Sequence, residues 1–105
     1  MEGPGYGLPI EAVFDYTESF ERVRPDLWTM TSYAYEYREV PPAGRRAHHW
    51  HDGSWHVHCV DPRHPRRNHH FRGYAVTIFE AHEEFAAIYL SGRHVDCAGL
   101  RPGQG

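Results

Sequence analysis

Arg45-Arg46-Ala47-His48-His49-Trp50-His51-Asp52-Gly53-Ser54-Trp55-His56-Val57-His58-Cys59-Val60 carries the clearest local geometry of the chain. Asp52-Gly53 between two strand-like runs is the strongest short-range hairpin signal, because a tight two-residue turn needs backbone conformations that Asp and Gly tolerate best. With those two residues as the loop, the cross-strand pairs follow. His51 faces Ser54, Trp50 faces Trp55, His49 faces His56, His48 faces Val57 and Ala47 faces His58. Side chains alternate between the two faces of a strand. Trp50, Trp55, Val57, Cys59 and His48 therefore share a face suited to packing, with a cross-strand Trp pair. His49, His51, His56 and His58 share the other.

Upstream, Trp28 to Val40 also has period two, placing Thr29, Thr31, Tyr33, Tyr35 and Tyr37 on one face and Met30, Ser32, Ala34, Glu36 and Arg38 on the other. Pro41-Pro42-Ala43-Gly44 ends that strand. Further upstream Pro9 suits a first helical position, and Ile10, Val13, Phe14, Thr17 and Phe20 recur at roughly helical spacing, so a helix is expected over about 9–23. A strand over 12–17 is the competing reading, since Val13-Phe14-Asp15-Tyr16-Thr17 has high β-propensity.

Downstream of the proline-broken segment Asp61 to Asn68, residues 69–76 read as a strand. Thr77-Ile78-Phe79-Glu80 is a capping box that opens a helix over about 78–91, with Gly92 just past its end. Ile78, Phe79, Ala81, Phe85, Ala86, Ile88, Tyr89 and Leu90 make its apolar face, with His82 in the middle and expected to be buried and bonded to backbone. A short strand at 93–97 is expected before the chain frays. The fold class is α+β: one antiparallel sheet of about four strands with the C-terminal helix packed on one face and an N-terminal helix beside it. The other sheet face stays open.

The 105 residues suffice for one domain, 1–105, with 1–8 and 99–105 expected to be flexible. An apolar share of 40% and an aromatic share of 14% exclude a disordered or fibrous chain. No apolar run is long enough for a membrane span or a leader, so no membrane partner and a cytoplasmic location are expected. Cys59 and Cys97 are too far apart for a metal knuckle and are expected to be reduced. The net charge of -3 argues against non-specific coating of nucleic acid. Its distribution is uneven, however: Arg63, Arg66, Arg67 and Arg72 stand against Asp61 alone over 61–72, while Glu11, Asp15, Glu18, Glu21 and Asp26 outweigh Arg22 and Arg24.

Ten histidines, most of them between His48 and His70, are more than composition explains. In the segment 61–72, histidine can take a proton from a ribose 2′-hydroxyl or give one to a leaving oxygen, and arginine can hold the phosphate. His64 and His70 are the candidate general base and acid, with His69 a substitute for either. Asp61 is expected to orient a histidine, and Arg63, Arg66, Arg67 and Arg72 to bind the phosphates. This reading needs no cofactor. His49, His51, His56 and His58 offer an alternative, a cupin-like β protein binding zinc, nickel or copper. A third reading is a non-catalytic immunity, antitoxin or assembly subunit.

Tyr33-Ala34-Tyr35-Glu36-Tyr37, the hairpin, Asp61-x-x-His64-Pro65 and His69-His70 together resemble the TumE-like toxin family of bacterial toxin–antitoxin modules, over about residues 30–72. The resemblance implies growth inhibition through RNA, a cognate antitoxin as partner, and Asp61, His64, His69 and His70 as the residues that matter.

Overall fold

Every period-two run of the chain becomes a strand in the computed structural model, which describes residues 11–40 and 44–97. Glu11–Arg24 (β1), Leu27–Val40 (β2), Arg45–His51 (β3), Ser54–Val60 (β4) and His69–Arg72 (β5) form one antiparallel sheet in sequence order, and Ile78–Leu90 (α1) packs on one face. The class is α+β, with five strands rather than four.

The additional strand is β1, which replaces the helix expected over 9–23; residues 9 and 10 of that expectation lie outside the described residues. The reason is a tertiary partner. Phe14 sits opposite Tyr37 and Tyr16 opposite Tyr35 in the β1–β2 pairing, so the apolar side chains of β1 extend the tyrosine stripe of β2. Contacts of this kind override a local periodicity as imperfect as that of residues 10–20.

The hairpin has the register that its turn dictates, with His51 opposite Ser54 and Ala47 opposite His58. Asp52 and Gly53 both take positive φ, 52° and 72°. At the helix start Thr77 Oγ1 accepts from the Glu80 N–H at 3.1 Å while Glu80 Oε1 accepts from the Thr77 N–H at 2.8 Å. Phe85 is fully buried, with the rings of Phe14, Tyr16, Tyr37 and His48 centred 6.0–6.3 Å away. Burying such a side chain is worth about 1.5–3 kcal/mol. Polar pairs orient the helix: Arg46 Nε donates to Glu84 Oε2 at 2.7 Å and His48 Nε2 hydrogen-bonds Glu84 Oε1 at 2.5 Å. Burial pushes the Glu84 carboxyl up, but the His48 hydrogen bond and the Arg46 charge more than offset it, and the net shift is downward.

Three further expectations change. β5 stops at Arg72 instead of residue 76: the Gly73 N–H still bonds the Trp55 carbonyl at 2.8 Å, and the chain then turns toward the helix cap. Residues 93–97 are irregular rather than a strand. They are held by side chains, with the Val95 N–H donating to buried Glu39 Oε2 at 3.0 Å and the Tyr37 hydroxyl donating to the same oxygen at 3.2 Å. Gly44 is required beside them, since a Cβ there would run into the Glu39 carboxylate. Finally, Cys59 and Cys97 are not reduced but joined by a disulfide, their Cα atoms 6.0 Å apart, because the fold lays the tail across β4. No helix among the described residues is long and apolar enough to cross a membrane.

Candidate functional site

Asp61 follows β4 directly and is buried, and the prolines around it give the next residues two successive turns, closed by His64 N–H to Asp61 O at 2.8 Å and Arg67 N–H to His64 O at 3.0 Å. The Asp61 carboxylate is expected to orient a histidine; instead it accepts from Arg63, through the backbone N–H and Nε at 2.9 Å each and through the second guanidinium nitrogen at 2.5 Å. The nearest strong donor is two residues away and takes both oxygens. That hydrogen bonding holds the Asp61 carboxyl below its ordinary value. Arg63 also reaches Asp96 at 3.5 Å, so the loop is tied to the tail beyond α1.

Asp61, Arg63, His64, Arg67, His69 and Asp96 surround a cleft of about 430 Å³, closed at one side by the disulfide at Cys97. His69 reaches it because it pairs with Cys59 on β4 and so faces the helix side of the sheet, its ring 5.9 Å from that of Phe71. His70 pairs with His58 and points to the opposite side. The expected pairing of His64 with His70 is therefore replaced by His64 with His69, and His69 cannot substitute for His70: adjacent residues of a strand face opposite ways. The arginines divide too. Arg63 and Arg67 line the cleft, Arg66 is exposed on the loop, and Arg72 lines a separate hollow with His56 and His70.

The open face carries the second cluster. His49, His51, His56 and His58 lie there as the hairpin register requires, and His70 joins them as a fifth imidazole. Ring centroids are 5.2 Å apart for His51 and His56, 4.7 Å for His56 and His70, 4.4 Å for His58 and His70, and 4.7 Å for His49 and His58. Burial, then the neighbouring charges of His49 and His70, push His58 down to about 4, against an opposing hydrogen bond with Asn68. Burial first, then the charges of His70, His51 and His49, lowers His56. His58 Nδ1 is buried without a hydrogen-bond partner.

Glu36, from β2, is a member of this face that the sequence reading missed. It accepts from His49 Nε2 at 3.0 Å and from Arg45 at 3.1 and 3.3 Å. Its place on the same alternating face as Ala34 and Arg38 was a usable signal, but the β2–β3 register was not, since Pro41 to Gly44 is no standard hairpin loop. The rings of His51 and His56, His56 and His70, and His58 and His70 are parallel to within 18–25°. Nitrogen lone pairs lie in the ring planes, so neighbours in a stack present them side by side rather than toward one centre. No three metal donors among the described residues are placed to hold an ion. The arrangement is a stacking surface more than the zinc, nickel or copper shell of the alternative reading.

His82 is exposed rather than buried, its Nδ1 2.8 Å from the Tyr16 hydroxyl at the flank of the helix. No family model, no curated protein and no solved structure matches this chain.

Proposed function

We propose that this chain is a small metal-independent ribonuclease of the RNA-directed toxin kind, with its reaction in the cleft of His64 and His69. The observation that carries the reading is the meeting of two imidazoles and two guanidiniums around one hollow beside a loop held by its own turns. One histidine takes the proton of a ribose 2′-hydroxyl and the oxygen attacks the adjacent phosphorus. The bond to the 5′-oxygen breaks, and the second histidine protonates that leaving oxygen, giving a 2′,3′-cyclic phosphate and a free 5′-hydroxyl. Arg67 neutralises the phosphate oxygens as charge builds on them. Arg63, pinned by Asp61, contributes direction rather than mobility.

The stacked imidazoles of the open face suit unpaired bases, and Arg72 beside His70 suits the backbone between them. The substrate is accordingly single-stranded RNA that passes from that face round the short β5 into the cleft. The likeness of residues 30–72 to TumE-like toxins supports the same reading and adds a neutralising antitoxin as partner. Cytoplasmic RNA is then the target. Disulfides are rare in that compartment, so activity of the reduced protein belongs in the test.

Purified protein incubated with total RNA in the presence of a chelator should yield fragments ending in 2′,3′-cyclic phosphate, under oxidising and reducing conditions, and a His64→Gln/His69→Gln variant should not. Equal cleavage by both proteins ends the proposal. Induced expression separates it from the immunity or assembly reading, because a non-catalytic partner protein is harmless alone.

A further inference from the structure

β1 is the first strand of the sheet and pairs only with β2, so among the described residues one edge of a 14-residue strand is unpaired. β2 in turn meets β3 only from Ser32 to Arg38. The chain from Phe20 through Met30 therefore projects as a two-stranded ribbon with no third strand beside it. Such a ribbon is marginal in water by itself, and this one leaves Phe20 52%, Val23 57%, Leu27 42% and Trp28 59% exposed. Opposed pairs set its faces: Phe20 with Met30 and Arg22 with Trp28, on the face that continues from Tyr16 and Tyr35. An exposed, apolar, unpaired edge of this length is a template for another strand.

We infer that the occupant is a second copy of this chain, joined by antiparallel pairing of β1 with β1 about a two-fold axis at Phe20. Charge favours that register over those centred on a charged residue. With Phe20 opposite Phe20, Glu18 of each copy faces Arg22 of the other, and Ser19 faces Glu21. Centring the axis on Glu18, Glu21 or Arg22 instead sets that charge against its own copy, which is unfavourable. The extra residue at Ser19/Phe20 lies on β2, at Thr31, and the irregularity of β1 itself begins only at Val23. Glu18 to Arg22 is thus an unbroken segment of about the usual strand length. Pairing sets the two Phe20 side chains side by side and places both copies of Met30 and Trp28 on the same side of one continuous sheet, extending its apolar face. The inference is independent of the RNA reading.

The test is oligomeric state with a built-in reading of register. In light scattering after gel filtration, loaded at up to about 100 µM, which populates any dimer with a dissociation constant in the low micromolar range, the chain should run as a dimer. Both native cysteines are bonded to each other, so a single introduced cysteine reports cleanly. Phe20→Cys, opposite itself at a Cα distance a disulfide can span, should oxidise to a covalent dimer, and Ser19→Cys should not. Glu18→Arg should raise the dissociation constant about tenfold or more by setting like charges across the axis, and Glu18→Arg/Arg22→Glu should restore it. A monomer at the highest concentration, equal cross-linking of both cysteine variants, or no rescue by the double exchange overturns the inference.

Discussion

Breaking the Cys59–Cys97 bond perturbs this fold at one defined point, and its effect can be worked out beforehand. The two cysteines are 38 residues apart, and the loop they close contains β5 and all of α1. For a loop of that length the chain-entropy relation gives about 13 cal/mol/K of denatured-state freedom removed, or about 4 kcal/mol at 25 °C. Domain stabilities are about 5–15 kcal/mol, so reduction should remove a large part of the total. At about 4–8 °C per kcal/mol for a domain of this size, the thermal midpoint should fall by roughly 15–30 °C. The assay is urea unfolding followed by tryptophan fluorescence and circular dichroism, with and without reductant, on the wild type and on Cys97→Ala. The reduced wild type and the oxidised or reduced variant should share one lower midpoint, and the denaturant slope should rise because the unfolded chain expands further. The bond also fixes the tail that closes the cleft, so hydrogen exchange at Val95 should quicken with it. A reduced protein within about 1 kcal/mol of the oxidised one would refute the reasoning.

The other contacts make their own demands. Phe85→Ala removes the ring at the centre of the core and should cost about 3–5 kcal/mol in urea unfolding, as buried aromatic truncations do. Thr77→Ala takes away one half of the capping box and should cost about 1 kcal/mol, with a matching loss of helical signal on heating. His58 titrates at about 4 in the fold against an ordinary 6.5. As pH falls the unfolded chain therefore takes up this proton first, so stability is complete above about 6.5 and declines progressively toward pH 4. His58→Gln should flatten that part of a plot of thermal midpoint against pH, and an unchanged slope would contradict the placement of His58 in the stack.

What could be read in the sequence was whatever local geometry alone determines. Asp52-Gly53 fixes its turn, hence the hairpin register and the division of imidazoles between the two faces, and Thr77 with Glu80 fixes the helix start. What could not be read depends on partners distant in sequence. β1 is a strand because tyrosines of β2 lie beside it, and Cys97 meets Cys59 because Glu39 and Tyr37 seat an irregular tail. His82 lies outside the contact because only a narrow stripe of α1, with Ala81 and Phe85 at its centre, is buried against the sheet. Of the residues singled out in 61–72, Asp61, Arg63, His64, Arg67 and His69 do line one cleft, yet Asp61 is taken by Arg63, and β5 sends His69 and His70 to opposite sides. Alternation along the strand expected over 69–76 already separates those two histidines, so that division was legible although the proposed acid–base pair ignored it.

That separation gives the most direct measurement of the central claim. His69→Gln and His70→Gln are neighbouring substitutions of one residue type, and their rates on a single-stranded RNA oligonucleotide at saturating substrate should differ sharply. The first should abolish turnover with binding retained, whereas the second should leave the catalytic rate in place and weaken binding. Equal loss of rate in both, or loss confined to His70→Gln, would contradict that claim.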